Sequence, residues 1–245
     1  MGAGDGHHSL ATAGDHASGP ILIELRMPKV RRLVFLRHGE TTGQSSIRYY
    51  GATDVPLSAV GREQVLRAAP VIAAYGVQKV YTSALCRTRE AATLVAPGLP
   101  ATPLAELNEV HFGDWEGLTR DEIERRHPEA YARWTARTAD FCYPNGESLR
   151  AFRARVEAAV AKILDDEALS VLVIAHRGVI VRALAYLLGS QHEASALQVA
   201  VGSVHVVERS TQGGPWTPLV LDWTGDAEQA VPAVESVPAD RTMEG

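Results

Sequence analysis

The sequence predicts an α/β fold, namely a three-layer α/β/α sandwich with a mostly parallel central sheet and a small helical cap. Two observations favour this class. Apolar, β-branched runs such as Arg32–Arg37 and Ser170–Ala175 are typical of buried strands. Between such runs lie segments whose apolar residues recur at helical spacing, as in residues 57–75. Strands that alternate with helices favour a parallel sheet covered on both faces.

The predicted elements follow one another without an internal repeat or a linker. Ser58 is a suitable N-cap for the first helix, and a turn at residues 144–146 precedes the helix at 148–165. The predicted strands are Arg32–Arg37, Lys79–Thr82, 102–107, Ser170–Ala175, Val204–Glu208 and 218–222. The predicted helices are 57–75, 85–95, 119–138, 148–165 and 178–188.

The length of 245 residues suits one sizeable domain. We expect this domain to span residues 30–224, with the cap at about 108–147. Residues 1–29 are polar and rich in Gly and Ala, so we expect a flexible leader without a secretory signal. Residues 225–245 are rich in Pro, Ala and acidic side chains, which predicts a disordered tail.

Composition restricts the partners and the compartment. The formal net charge is −5 and no basic cluster dominates a segment, which argues against a nucleic-acid partner. No apolar stretch is long enough to span a membrane. Cys86 and Cys142 are the only cysteines, and their spacing fits no metal-ligand pattern. A chain with a core of this size needs no disulfide, so we expect a reducing, cytoplasmic location.

Reactive side chains follow three of the predicted strands. His38 comes directly after Arg37, Arg87 follows the second strand, and His176 follows the strand SVLVIA. The carboxyl ends of parallel strands lie at one edge of a sheet, where ligands bind in this fold class. That edge suits a phosphate, because arginine presents a fork of donors that matches phosphate oxygens. An isolated histidine after a strand is more often structural than catalytic, so the surrounding motifs decide between the two roles.

Five motifs provide that context. They are RHGET at 37–41, YYGATDVPLS at 49–58 with Gly61, TSALCRT at 82–88, LNEVHFGDWEG at 107–117, and NGES at 145–148 with AH at 175–176. In this order they resemble the histidine phosphatase superfamily, which includes the cofactor-dependent phosphoglycerate mutases. The resemblance covers roughly residues 32–208 and implies a phosphoglycerate mutase-like fold.

The resemblance implies metal-independent hydrolysis of a phosphomonoester, with no cofactor. His38 would attack phosphorus and form a phosphohistidine. Arg37, Arg87 and a protonated His176 would bind the phosphoryl group in place of a metal. Glu109 would protonate the leaving oxygen and then activate water.

Several neighbouring residues have more than one interpretation. Glu40, Glu106 and Glu116 are carboxylates near Glu109, and motif position favours Glu109. Gly39 is expected to let a phosphate approach the backbone. Phe112 and Trp115 suit either the core or a pocket wall, and both interpretations stay open. The arginines at 62, 89 and 120–126 are expected on solvated helix faces.

Two positions depart from the family pattern. Gln44 stands where many relatives have asparagine, and we expect its amide near the phosphate. Arg177 follows the second histidine, where relatives usually have a small residue. Its charge lies either beside the pocket or in solvent, and either position could alter specificity.

The predicted substrate is a small phosphorylated metabolite. The interval from Glu109 to His176 is short, which resembles the compact phosphatase branch rather than the mutases. Residues 48–58 are similar both to members that act on alpha-ribazole phosphate and to broad-specificity phosphatases. Two alternatives stay open: a cofactor-dependent phosphoglycerate mutase, and a non-catalytic phosphate-binding protein on the same fold. Relatives are often dimers, so a homodimer is also an option.

Overall fold

The computed structural model describes residues 1–2, 29–136, 140–189, 197–210 and 213–225. The predicted leader at 1–29 and the predicted tail at 225–245 lie almost entirely outside these residues. No helix within the described ranges is long and apolar enough to cross a membrane.

The centre of the described structure is a six-stranded sheet in the order β3-β2-β4-β1-β5-β6. The strands are β1 (Arg32–Arg37), β2 (Lys79–Thr82), β3 (Ala101–Pro103), β4 (Ser170–Ala175), β5 (Val204–Glu208) and β6 (Thr217–Trp223). The first four strands run parallel, whereas β5 is antiparallel to β1 and β6 is antiparallel to β5. The predicted mostly parallel sheet is therefore confirmed, and β1, β2, β4 and β5 have their predicted bounds.

Six α-helices connect these strands within the described residues. They are α1 (Ala59–Ala74), α2 (Cys86–Val95), α3 (Arg120–Arg126), α4 (Pro128–Thr135), α5 (Leu149–Leu164) and α6 (Arg177–Leu188). Hydroxyl caps fix two of their starts. The Ser58 side chain accepts a hydrogen bond from the amide of Gly61, and the Ser148 side chain accepts one from Ala151. These bonds satisfy amides that have no partner inside the helix.

Two predicted elements were wrong in extent. The helix expected at 119–138 is split into α3 and α4, because Pro128 has no amide hydrogen and begins a new helix. Thr119 and Glu122 form a capping box that begins α3. The strand expected at 102–107 ends at Pro103, and Ala105–Leu107 forms a 3-10 turn instead.

Alternate side chains of β1 enter different cores, as the period of a strand requires. Leu33 and Phe35 pack in a core with residues of α5 and α6. Val34 and Leu36 pack in a second core with residues of α1 and α2. The sheet thus separates two helical layers, which confirms the predicted three-layer sandwich.

An aromatic cluster holds α4 and the chain on either side of it together. Trp115 is fully buried, and its ring centroid lies 5.8 Å from that of Trp134 and 5.2 Å from that of Tyr143. Phe112 is also buried, with its centroid 5.0 Å from that of Tyr49. Of the two interpretations of Phe112 and Trp115, the structure therefore supports the core.

Candidate active site

His38 lies at the carboxyl end of β1, at the edge where the parallel strands end. Its backbone amide donates to the carbonyl of Ala175, and its own carbonyl accepts from the amide of Gly202. These bonds fix the backbone on both sides of the sheet edge, and the side chain is only 3% exposed. Gly39 has a packing role, and the predicted approach of a phosphate to its backbone stays a prediction. A Cβ there would overlap the backbone carbonyl of Gly61, so the glycine allows two chain segments to touch.

The hydrogen bonds of His38 determine which ring nitrogen carries a proton. Its Nδ1 lies 2.7 Å from the carbonyl oxygen of Gly39. A carbonyl oxygen only accepts hydrogen bonds, so Nδ1 must be the protonated nitrogen. The pKa of His38 is held well below its ordinary value, first by burial and then by the charges of Arg87 and Arg37. His38 is therefore neutral near pH 7, with a free lone pair on Nε2.

His176 lies beside His38 but is bonded at both nitrogens. Its ring centroid is 5.0 Å from that of His38. Its Nδ1 accepts from Nε of Arg87 at 3.3 Å, and its Nε2 lies 2.9 Å from Oγ of Ser83. Burial, followed by the charge of Arg87, holds its pKa well below the ordinary value. Protonation of His176 by a bound phosphate stays a prediction.

Arg87 is a fully buried cation that links the site to a loop. Besides His176, it donates to three backbone carbonyls, those of Tyr50, Gly51 and Thr53. Burial lowers its pKa, and the nearby charge of Glu109 opposes that shift. The sequence predicted Arg87 only as a phosphate ligand. The structure adds that much of its guanidinium holds residues 50–53 against the sheet edge.

One hydrogen-bond donor of Arg37 has no acceptor among the described residues. Its Nη1 donates to the carbonyl of Val199 at 2.6 Å, and its Nη2 donates to that of Ser45 at 3.4 Å. Its Nε is buried and has no partner among the described residues. Burial lowers the pKa of Arg37 to about 10, so the side chain stays charged at neutral pH. A buried donor of this kind is costly unless an acceptor binds to it, which favours an anionic ligand.

Glu109 faces these cations across the site. It is 8% exposed, and its Oε2 accepts from the amide of Gly178 at 2.9 Å. Gly178 is the second residue of α6, so the carboxylate lies at the positive end of that helix. A Cβ at Gly178 would lie 2.5 Å from Oε1 of Glu109, so only glycine permits this approach. A groove of about 450 Å³ is lined by Glu109, His111 and Arg155 among others, and His38 and His176 are not part of its lining.

The other three carboxylates have different surroundings. Glu40 accepts from the amides of Thr41 and Ser46 and from the Ser45 hydroxyl. Glu116 accepts from the amides of Gly51, Ala52 and Phe112, among others. Glu106 is exposed. Glu40 and Glu116 thus stabilise loops, and of the four carboxylates Glu109 is the one bonded to the start of α6 beside His176.

Arg155 and Ser83 are site residues that the sequence analysis did not single out. Arg155 donates to the carbonyls of Glu106, Asn108 and Glu109, and so holds the loop that carries the acid. Glu147 fixes Arg155 through an ion pair at 2.8 Å. The NGES motif contained Glu147, but no local pattern pointed to an arginine eight positions later. Ser83 was visible at the end of β2, and only the fold places it against His176.

Gln44 and Arg177 are the two departures from the family pattern. Gln44 is exposed with a φ of +64°, and its side chain makes no hydrogen bond among the described residues. Its predicted place near the phosphate stays a prediction. Arg177 is exposed as the first residue of α6, and its charge lowers the pKa of Arg37. It lies both beside the pocket and in contact with solvent, so the two alternatives do not exclude each other.

The five main predicted residues thus surround one buried centre. A neutral histidine with a free nitrogen adjoins two arginines, a second histidine and a carboxyl group. Within the described residues, no group of three or more His, Cys, Asp or Glu side chains is arranged to hold a metal ion. A site of this kind belongs to the class of phosphoryl-transfer centres that rely on a protein nucleophile and on arginine charge.

Comparison with known proteins identifies the family. The model of the histidine phosphatase superfamily (branch 1) matches residues 33–222, and the chain therefore belongs to that superfamily. The chain is 33% identical over 166 residues to adenosylcobalamin/alpha-ribazole phosphatase of Escherichia coli (strain K12), covering 66% of this chain and 82% of that protein. It is 33% identical over 210 residues to glucosyl-3-phosphoglycerate phosphatase of Mycobacterium tuberculosis, covering 80% and 87%.

Solved structures agree with this assignment. Alpha-ribazole phosphatase from Shigella flexneri matches with a TM-score of 0.71 at 29% identity, covering 79% of this chain and 96% of that one. Mycobacterial glucosyl-3-phosphoglycerate phosphatase in complex with VO3 matches with a TM-score of 0.69 at 30% identity, covering 79% and 99%. These relatives are phosphatases, so the predicted family, fold class and phosphatase class are confirmed.

Proposed function

We propose that this protein hydrolyses the phosphomonoester of a small metabolite through a phosphohistidine on Nε2 of His38. The observation that carries this proposal is the state of His38. Its Nδ1 proton is committed to the Gly39 carbonyl, so the lone pair on Nε2 is free beside two cationic arginines. A neutral imidazole surrounded by positive charge suits attack on a phosphate dianion.

The reaction proceeds in two balanced steps. In the first, Nε2 of His38 attacks phosphorus, the bond to the leaving oxygen breaks, and the Glu109 carboxyl group gives that oxygen a proton. In the second, Glu109 takes a proton from water, the water oxygen bonds to phosphorus, and the bond to His38 breaks. Inorganic phosphate leaves, and both residues return to their starting state.

The arginines and His176 would stabilise the phosphoryl group during both steps. Charge is spread over its three equatorial oxygens in a loose transition state. The unmatched Nε of Arg37 is one donor for these oxygens. His176 would become a donor when a bound phosphate raises its pKa, because an adjacent negative charge favours the protonated form.

The substrate is proposed to belong to the range of phosphorylated metabolites on which the relatives act. Their names indicate alpha-ribazole phosphate and glucosyl-3-phosphoglycerate. The segment at about 108–147, with α3 and α4, would cover the site and select among such molecules. Cys86 and Cys142 are both free thiols, which supports a reducing, cytoplasmic location. The absence of a nucleic-acid partner and the option of a homodimer stay predictions.

The test is phosphate release from a panel of phosphomonoesters, including alpha-ribazole phosphate, glucosyl-3-phosphoglycerate and 3-phosphoglycerate, in the presence of EDTA. We expect rapid release from at least one ester, and an acid-quenched phosphoenzyme that disappears in His38→Ala. Conversion of 3-phosphoglycerate to its 2-isomer without phosphate release would identify a mutase. Binding of these esters without turnover or phosphoenzyme would identify a phosphate-binding protein.

A further inference from the structure

The segment at residues 199–203 is bonded to Arg37 through both its side chain and its backbone. The carbonyl of Val199 accepts from Nη1 of Arg37 at 2.6 Å, and the carbonyl of Ser203 accepts from the Arg37 amide at 3.0 Å. The amide of Ser203 donates to the carbonyl of Ala200 at 3.1 Å and closes a turn within the segment. The direction of the Arg37 guanidinium therefore depends on where this segment lies.

Asp222 of β6 holds the same segment from its other side. Its Oδ1 accepts from the amide of Ala200 at 2.9 Å. That amide belongs to the peptide group whose carbonyl, on Val199, accepts from Arg37. One peptide group thus lies between the carboxylate of Asp222 and the guanidinium of Arg37. The charge of Asp222 also opposes the lowering of the pKa of Arg37 by burial.

The backbone of β6 is distorted where it carries Asp222. Residues 204–206 of β5 pair with residues 220–223 of β6, so that Leu221 and Asp222 both lie opposite His205. This arrangement is a β-bulge, a feature that often redirects a side chain beside an active site. Asp222 has a φ of +52° in the bulge. Few residues other than glycine adopt that conformation, and strained positions of this kind cluster at functional sites.

His205 supports Asp222 and the segment together. Its Nδ1 accepts from the amide of Asp222 at 3.2 Å, so in the neutral ring Nε2 carries the proton and donates to Oγ of Ser203 at 3.1 Å. The ring is fully buried, and burial lowers its pKa to about 4, so it is neutral near pH 7. Asp222 is therefore joined to residues 199–203 by two routes, through Ala200 and through His205.

We propose that Asp222 is a positioning residue for phosphate binding, which holds the guanidinium of Arg37 through the peptide group between Val199 and Ala200. This inference rests on the proposed function, in which Arg37 binds the phosphoryl group. The two charges polarise the peptide group in the same direction, so each hydrogen bond strengthens the other. Without Asp222 the carbonyl of Val199 would be held less firmly, and the unmatched Nε of Arg37 would lose its fixed direction.

The test compares two variants that both suit the backbone of the bulge. Asp222→Gly accepts the positive φ without strain and removes the carboxylate. Asp222→Asn tolerates the same φ and keeps an oxygen for the amide of Ala200, although it removes the charge. Calorimetry measures the Kd for inorganic phosphate. We expect Asp222→Gly to raise this Kd about tenfold, the order expected when one hydrogen bond to a charged group is lost, and Asp222→Asn to raise it less than about threefold.

Hydrolysis shows whether the effect passes through Arg37. In Asp222→Gly the loss in kcat/KM should be equal for 4-nitrophenyl phosphate and an alkyl phosphate, because both esters present the same phosphoryl group. In an Arg37→Ala background, Asp222→Gly should cause no further loss. The control is Asp165→Gly, which removes an exposed carboxylate at the end of α5, before β4 and so at the opposite edge of the sheet. It should change none of these quantities.

The calorimetric result separates positioning from a general loss of stability. Partial unfolding lowers the number of phosphate sites per chain but leaves the Kd of the folded fraction unchanged. An unchanged Kd in Asp222→Gly would overturn the proposal even if hydrolysis is rapid, as would equal losses in Asp222→Gly and Asp222→Asn. A full effect of Asp222→Gly in the Arg37→Ala background would also overturn it. A raised Kd in Asp222→Gly that Asp222→Asn restores supports the proposal even if no ester releases phosphate.

Discussion

Gly178 gives a direct test of the role of Glu109, because a methyl group there displaces the acid without removing it. In Gly178→Ala the new Cβ would lie 2.5 Å from Oε1 and 3.2 Å from Cδ of Glu109. Ordinary contacts between heavy atoms are about 3.5–4.0 Å, so the carboxyl group must withdraw by roughly 1 Å. It can do so, because the clash involves the end of a flexible side chain rather than backbone.

The expected effect follows from the geometry of proton transfer. A misplacement of about 1 Å costs on the order of 10²-fold in rate, and a general acid contributes about 10²–10⁴-fold. We therefore expect kcat for an alkyl phosphate to fall on the order of 10²-fold. For 4-nitrophenyl phosphate the loss should be less than about fivefold, because its leaving group needs no proton.

Stability should change little, because the preference of the helix for alanine offsets the loss of the bond between Glu109 and the amide of Gly178. Gly178 is in the first turn of α6, and alanine is favoured over glycine in helices by up to about 1 kcal/mol. The assays are steady-state kinetics on both substrates and thermal unfolding. Gly98→Ala is the matched control, because nothing lies within 4 Å of a Cβ at that position. Equal loss on both substrates, or no loss on either, would show that Glu109 is not the proton donor.

Three further predictions concern the acid, its support and the response to pH. Glu109→Gln should reproduce the selective loss on alkyl phosphates, measured by the same kinetics. Arg155→Gln leaves three loop carbonyls and Glu147 without their partner, so urea unfolding should give a loss of about 1–3 kcal/mol that Arg150→Gln does not show. Burial lowers the pKa of His205 to about 4. Between pH values of about 6.5 and 4, His205 is protonated only in the unfolded chain. The free energy of unfolding should therefore fall by up to about 3 kcal/mol as the pH decreases across this range. The decrease should be smaller in His205→Gln.

Local patterns predicted most of the fold because the relevant signals lie within a few residues of each other. The bounds of β1 and β4 follow from apolar runs that end at charged or titratable residues. The start of α1 follows from the Ser58 cap. Two elements are exceptions, and each has a local cause. Pro128 lacks the amide hydrogen that the predicted helix required, and the 3-10 turn Ala105–Leu107 takes the place of the rest of the predicted strand.

Site residues that directly follow a strand could be predicted from the sequence. Site residues whose role depends on a partner distant in the chain could not. His38 and His176 follow β1 and β4, so parallel pairing alone brings them together. The role of Arg155 depends on the approach of α5 to the loop before Glu109, and no sequence pattern encodes that approach. The collision that requires glycine at 39 involves Gly61, twenty-two positions later, and so could not be inferred from the motif itself.

The hydrogen bonds also favour His38 over His176 as the proposed nucleophile, independently of any resemblance. Both rings are buried and neutral, so charge does not distinguish them. In His38 only Nδ1 is hydrogen-bonded among the described residues, to the carbonyl of the next residue, Gly39. In His176 both ring nitrogens are hydrogen-bonded, to Arg87 and Ser83 near the junction of β2 and α2. An attack by His176 would first have to break one of these bonds, whereas Nε2 of His38 carries its lone pair without rearrangement. The different roles proposed for the two histidines therefore depend on the residues between β2 and α2. A substitution at Ser83 should disturb the orientation of His176 and leave that of His38 unchanged.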